Sequence, residues 1–150
     1  MNEAVGYALL VVLGIAIVSS TVIMFNNLQA SLASVAVDSE MNRIIEYISN
    51  NVLLAYKVAL EGSNITLTLE LPSSIQGYSY TIKFNTSVDG VKQIVLSIST
   101  KKLSVIKKLN TIDGSITFQG QIDSVDLRRG KIPVITATPG SIVLEVVSGG

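Results

Sequence analysis

The sequence predicts an α+β fold, a long N-terminal α-helix followed by an antiparallel β-sandwich head, on three observations. No charged residue lies between Glu3 and Asp38. Apolar residues then recur at steps of three and four as far as Ala59, the spacing of one helix face. Beyond Gly62 the period falls to two, and turn residues separate the runs.

The first element is the uncharged stretch "AVGYALLVVLGIAIVSSTVIMF", residues 4–25, rich in Val, Leu, Ile and Ala. As a helix it is roughly 33 Å long, enough to cross a hydrocarbon core of about 30 Å. A cleaved secretory signal would place Lys or Arg before the apolar run. "MNEAV" holds neither, so the span is expected to be retained. With no Lys or Arg near either end, the positive-inside rule gives it no orientation.

Residues 28–61 continue as an amphipathic helix. Its predicted apolar stripe runs through Leu28, Leu32 and Val35, then Met41, Ile44, Ile45, Ile48, Val52, Ala55, Tyr56 and Ala59. Arg43, Glu46, Asn50 and Lys57 lie opposite, with Leu54 among them. Gly62 marks the helix end. Asn26-Asn27 is the expected place of a bend. Residues 1–62 are thus read as the helix and 63–150 as the head.

In the head, "NITLTLEL", "YSYTIKF" and "QIVLSIS" alternate apolar and polar residues, and "SVIKKLNTI", "SITFQGQI", "IPVITAT" and "SIVLEVV" supply further strands. Asp89-Gly90 predicts a hairpin between the second and third runs, Asp113-Gly114 another, and Pro139-Gly140 a turn before the last. Short strands at such intervals suggest a sandwich, and the amphipathic helix is available to cover a sheet.

Composition narrows the chemistry. The 11 basic and 11 acidic side chains balance, so no global field draws in nucleic acid or anionic lipid. With no His and no Cys, the commonest general base and the thiol are both missing. Asp113, Asp123, Asp126 and Glu145 form no catalytic spacing, so no enzyme, cofactor or metal site is expected. "KKLSVIKK" and "RRGK" are the only basic clusters, read as solvated strand-edge charges. Two sequons, Asn64-Ile65-Thr66 and Asn85-Thr86-Ser87, sit at strand boundaries and make Asn64 and Asn85 candidates for N-glycosylation.

The string "NEAVGYALLVVLGIAIVSSTVIMF" resembles the N-termini of archaeal type IV pilin-like proteins, in which a Glu and a Gly-Tyr pair open a Val/Ile/Leu/Ala helix. The Cys-free, Ile-rich head is also similar to adhesive and UV-inducible pili of the Sulfolobales. The likeness is specific over about the first 30 residues and architectural beyond them. It departs from the bacterial pattern in that Glu3 precedes Gly6-Tyr7, and the basic leader of prepilins is not part of the sequence. The resemblance implies a structural subunit of an extracellular filament, inserted in the membrane before assembly and polymerising with copies of itself, for adhesion or cell–cell contact. Glu3, Gly6, Tyr7, Leu10, Leu13, Gly14, Ile17 and Phe25 would then belong to the filament core; Glu3 reads either as an acid favoured by the dipole at a helix N-terminus or, as the resemblance implies, as the partner of a neighbouring subunit's terminal amine. Ala8, Ala16, Ser19 and Ser20 are small enough to let helices approach closely. Minor pilins and glycans of the envelope or a neighbouring cell are further expected partners, and no specific nucleic acid is. The alternative is a membrane-anchored monomeric or dimeric surface protein whose β-sandwich binds another envelope component.

Overall fold

The computed structural model describes residues 2–149. Helix α1 runs Asn2–Leu60 without interruption, and Asn26 and Asn27 lie within it. The chain divides into two compact units, Met1–Asp38 and Ser39–Gly150. The first consists of helix alone among its described residues. The second is the head, and it includes the last turns of α1.

In the head, Met41, Ile44, Ile45, Ile48, Val52, Ala55, Tyr56 and Ala59 are all buried. These are the helix positions expected to cover a sheet. Burying each large apolar side chain contributes about 1.5–3 kcal/mol. Arg43, Glu46, Asn50, Leu54 and Lys57 are exposed, as the opposite face requires. Leu28, Leu32 and Val35 differ from expectation: they remain exposed. They belong to the helical unit, which has no second layer of its own. Helix α1 ends where Gly62 turns left-handed, with φ +84°, and donates its N–H to the Ala59 carbonyl at 3.0 Å.

The strands are β1 (Ile65–Thr68), β2 (Thr81–Thr86), β3 (Lys92–Ile98), β4 (Leu103–Leu109), β5 (Thr117–Asp123), β6 (Lys131–Thr138) and β7 (Ser141–Ser148). They form one seven-stranded sheet in the order β1-β6-β7-β5-β2-β3-β4. All neighbours are antiparallel except β5 and β7. The α+β class holds, but the strands do not split into the two sheets of a sandwich. The reason is layering: the buried stripe of α1 covers the apolar face of the sheet, so a second sheet has nothing left to bury. The other face carries Thr66, Lys83, Asn85, Gln119 and Gln121, all exposed.

Two of the expected turns are hairpins. Around Asp89-Gly90, Ser87 donates its N–H to Val91 and Gly90 to Ser87, at 2.8 and 2.9 Å. Pro139-Gly140 joins β6 to β7, where Thr138 pairs with Ser141. Asp113-Gly114 makes a turn but not a hairpin, since β4 pairs with β3 and β5 with β2 and β7. Strands β2, β3 and β4 form a meander, and the chain then returns to lay β5 beside β2, a Greek key. The Asp113 carboxylate accepts from both the N–H and the hydroxyl of Ser115, each at 2.8 Å, and these bonds hold its pKa below the usual carboxylate value. The Tyr56 hydroxyl accepts the Asp113 N–H at 3.2 Å, which fixes the crossover to α1. Buried Lys92 adds a second tie, reaching the Gly114 carbonyl at 3.1 Å and the Thr86 hydroxyl at 3.3 Å.

Buried Tyr80 closes the end of the sheet before β2. Its hydroxyl donates to the Pro72 carbonyl, and its N–H donates to the Ser124 hydroxyl at 2.9 Å. Burial, and then the charge of Glu40, push the phenol pKa above its ordinary value. An acid raised on folding contributes stability that is complete below its unfolded value of about 10 and is lost as pH rises past it. Thermal melts of the protein at rising pH are therefore expected to show a steeper loss above pH ~10 than melts of Tyr80→Phe. Parallel curves for the two proteins would contradict this.

Candidate membrane and assembly surface

In the helical unit, Glu3, Gly6, Tyr7, Leu10, Leu13, Gly14, Ile17 and Phe25 are all exposed within the single chain. Their steps of three, four and eight place them within about a third of the helix circumference. The remaining faces are apolar too: Val5, Leu9, Val12, Ile15 and Ile23 are as exposed as Leu10 and Leu13, at 56–65%. A helix that is apolar all round is stable only when something surrounds it, whether lipid or other helices. This stretch is long and apolar enough to cross a membrane.

Two of the polar residues in the stretch, Ser20 and Thr21, are satisfied within the helix. The Ser20 hydroxyl donates to the Ala16 carbonyl at 2.8 Å, and Thr21 to Ile17 at 2.9 Å. Each hydroxyl is thus satisfied one turn back along its own helix. An unsatisfied hydroxyl would cost a few kcal/mol in an apolar surrounding. The pairing is implicit in the sequence, because Ser and Thr in a helix interior have the carbonyl four residues back within reach. Gly6 and Gly14 have no structural need inside the chain, since nothing lies within 4 Å of where a Cβ would stand.

Elsewhere several acids and bases are engaged structurally. Asp123 accepts from the Thr81 hydroxyl at 2.5 Å, Glu145 from Thr136 at 3.2 Å, and Asp126 pairs with Lys131 at 2.8 Å. Of the basic clusters, Lys107 turns to the helix side and meets Glu46 at 2.6 Å. Both partners are well exposed, so this pair contributes at most about 1 kcal/mol. Lys101 sits 4.9 Å from the Tyr78 ring centre, and Arg128 bonds the Ser79 hydroxyl. A short helix, α2 (Ser124–Arg128), organises "RRGK" and has no counterpart in the sequence reading. Among the described residues, no group of three or more acidic side chains is placed to hold a metal ion. Asn64 and Asn85 are both exposed.

Fold and surface together define a class: an α+β head whose leading helix includes an uncharged, predominantly apolar segment of membrane length. The profile of a family described as a family of unknown function (DUF7266) matches residues 1–146, and the chain belongs to that family. No curated protein and no solved structure matches it.

Proposed function

We propose that the protein is a structural subunit of an extracellular, type IV pilus-like filament, inserted in the membrane by its N-terminal helix before assembly. The observation that carries this reading is the helix surface. Apolar side chains on every face of residues 4–25 are exposed, and the hydroxyls of Ser20 and Thr21 are satisfied within the helix. Such a surface finds similar surroundings in lipid and in a bundle of its own copies. Lipid alone gives no reason for glycine. Each Gly in a helix costs about 1 kcal/mol relative to Ala, and neither Gly6 nor Gly14 is needed by a contact within the chain. Close approach of neighbouring helices supplies that reason. A subunit that contacts its neighbours through different faces builds an open helical polymer. The head would face outward, for adhesion or cell–cell contact.

Electron microscopy of the protein taken from its native cell surface tests the proposal. Long filaments of uniform width are the expected result. Discrete detergent-bound particles under all conditions would favour a membrane-anchored monomer or dimer. A companion result is expected from removing residues 1–27. The head keeps its sheet and its covering helix, Ser39–Leu60, and should be soluble, folded by circular dichroism, and monomeric by light scattering. Filaments formed by that truncated protein would place the polymer contacts in the head and defeat the proposal.

A further inference from the structure

The two sequons remain unused by the filament reading, and the sheet brings them together. Phe84, Gly120, Leu144, Ile135 and Leu67 lie side by side in register across β2, β5, β7, β6 and β1. Neighbours in register share a face, and Phe84, Leu144 and Ile135 are buried in the core. Residues one position away therefore point to the open face. Asn85 follows Phe84, and Thr66 precedes Leu67 on a strand that runs the opposite way. Both fall in the same cross-strand row, and Asn64 lies two residues further toward the same end. That end carries the 87–91 hairpin and the Pro139-Gly140 turn. Four strand spacings of about 4.8 Å put the two asparagines roughly 20 Å apart.

The local geometry suits an acceptor at both places. Asn64 is exposed at the end of the four-residue link before β1, an edge strand, and its sequon hydroxyl Thr66 is exposed on the same face. Asn85 is exposed, and Ser87 lies two residues on at the hairpin. The Asn85 carboxamide oxygen accepts from the Thr86 N–H at 2.9 Å. Neither amide nitrogen is engaged by another described residue.

We propose that the open face of the sheet is a glycan-bearing surface, with Asn64 and Asn85 as its two acceptors. The donor class is a lipid-phosphate-linked oligosaccharide, supplied with its transferase by the host. The Asn Nδ2 attacks the anomeric carbon and forms an N–C bond. The bond from that carbon to the lipid phosphate oxygen breaks, the lipid phosphate leaves with the electron pair, and one Nδ2 proton passes to a base of the transferase. The two glycans would cover the exposed polar rows of the sheet that α1 does not. This inference rests on export of the head in the reading above, and not on polymerisation.

Peptide mass spectrometry of the protein from its native host tests it, on filaments or detergent extracts alike. The peptides holding Asn64 and Asn85 should each carry saccharide mass. Asn64→Gln and Asn85→Gln should each remove one glycan from the intact mass. Thr66→Ala should abolish the Asn64 glycan, and Thr66→Ser should keep it. An unmodified Asn64 or Asn85 peptide overturns the proposal, as does a glycan on Asn64 that survives Thr66→Ala. Protease treatment of intact cells reads export separately. A head that is cleaved from outside yet unglycosylated defeats this inference and leaves the filament reading standing.

Discussion

Leu13→Lys or Ile17→Lys should abolish filaments while leaving the head folded. Both side chains lie in the middle of the apolar stretch, on the face shared with Gly6, Gly14 and Phe25, more than half exposed in the single chain. In a bundle of apolar helices an ammonium at either position has no acid to meet, because the nearest acids in sequence are Glu3 and Asp38. On membrane-insertion scales a Lys at the helix centre costs about 2.5–3.5 kcal/mol. In a polymer that cost repeats in every subunit. The expected result is a total loss of filaments by microscopy, with a circular dichroism spectrum of the head like that of the parent. Leu13→Ala and Ile17→Ala keep the segment apolar and serve as controls that should still assemble. Normal filaments from a Lys variant would mean that this face is wet, which the filament-core proposal does not allow.

The second large effect belongs to the head. Gly120→Ala should destabilise it by about 3 kcal/mol or more. Gly120 holds φ +127°, a conformation that side chains rarely adopt, where β5 runs parallel to β7. A Cβ there would stand 2.0 Å from the Leu144 carbonyl oxygen and 2.7 Å from its nitrogen. Both are backbone atoms in the middle of the sheet, so neither can swing aside. On the core side, Gly120 lies opposite Phe84, whose ring stacks on Phe118 at 4.3 Å. Pushing β5 from β7 would therefore also disturb that stack. A drop in melting temperature of more than about 10 °C is expected for a head of this size. Gln119→Ala and Gln121→Ala, at exposed neighbouring positions, should change stability by less than about 0.5 kcal/mol. Equal melting of Gly120→Ala and the parent would show that the two strands are not held this closely.

Much of the head was legible because burial and periodicity agree. The stripe from Met41 to Ala59 reads as one helix face and buries as one. The three alternating runs and the four further ones correspond to the seven strands, and where a run alternates, as in β3, it reports one more covered and one more open face. What the sequence could not express is which strands pair. Asp113-Gly114 carries a hairpin signal, but that signal is local. The bonds from Ser115 to Asp113 satisfy it without bringing β4 and β5 together. The sandwich reading failed for a related reason: alternation says that a face is covered, not whether a sheet or a helix covers it. Leu28, Leu32 and Val35 continue the helical spacing of the head's stripe, and spacing alone does not say where the covering layer stops. In the apolar segment, the residues singled out share a helix face. Composition could not rank that face above the others, because every face there is apolar.

The place of β7 in the sheet has a consequence for synthesis. It is the last strand in the chain, yet it lies between β6 and β5 and joins the two halves of the sheet. Until β7 has emerged, the β1–β6 half and the β2–β5 half have no common neighbour, and the helix that covers them has no finished floor. The head can close only once β7 is free to pair with both halves. By then the leading helix, made before every strand, has already emerged. In the reading proposed above, such a chain would be tethered before it is folded, and its unpaired strand edges would spend that interval at a membrane surface rather than free in solution, where they would meet one another.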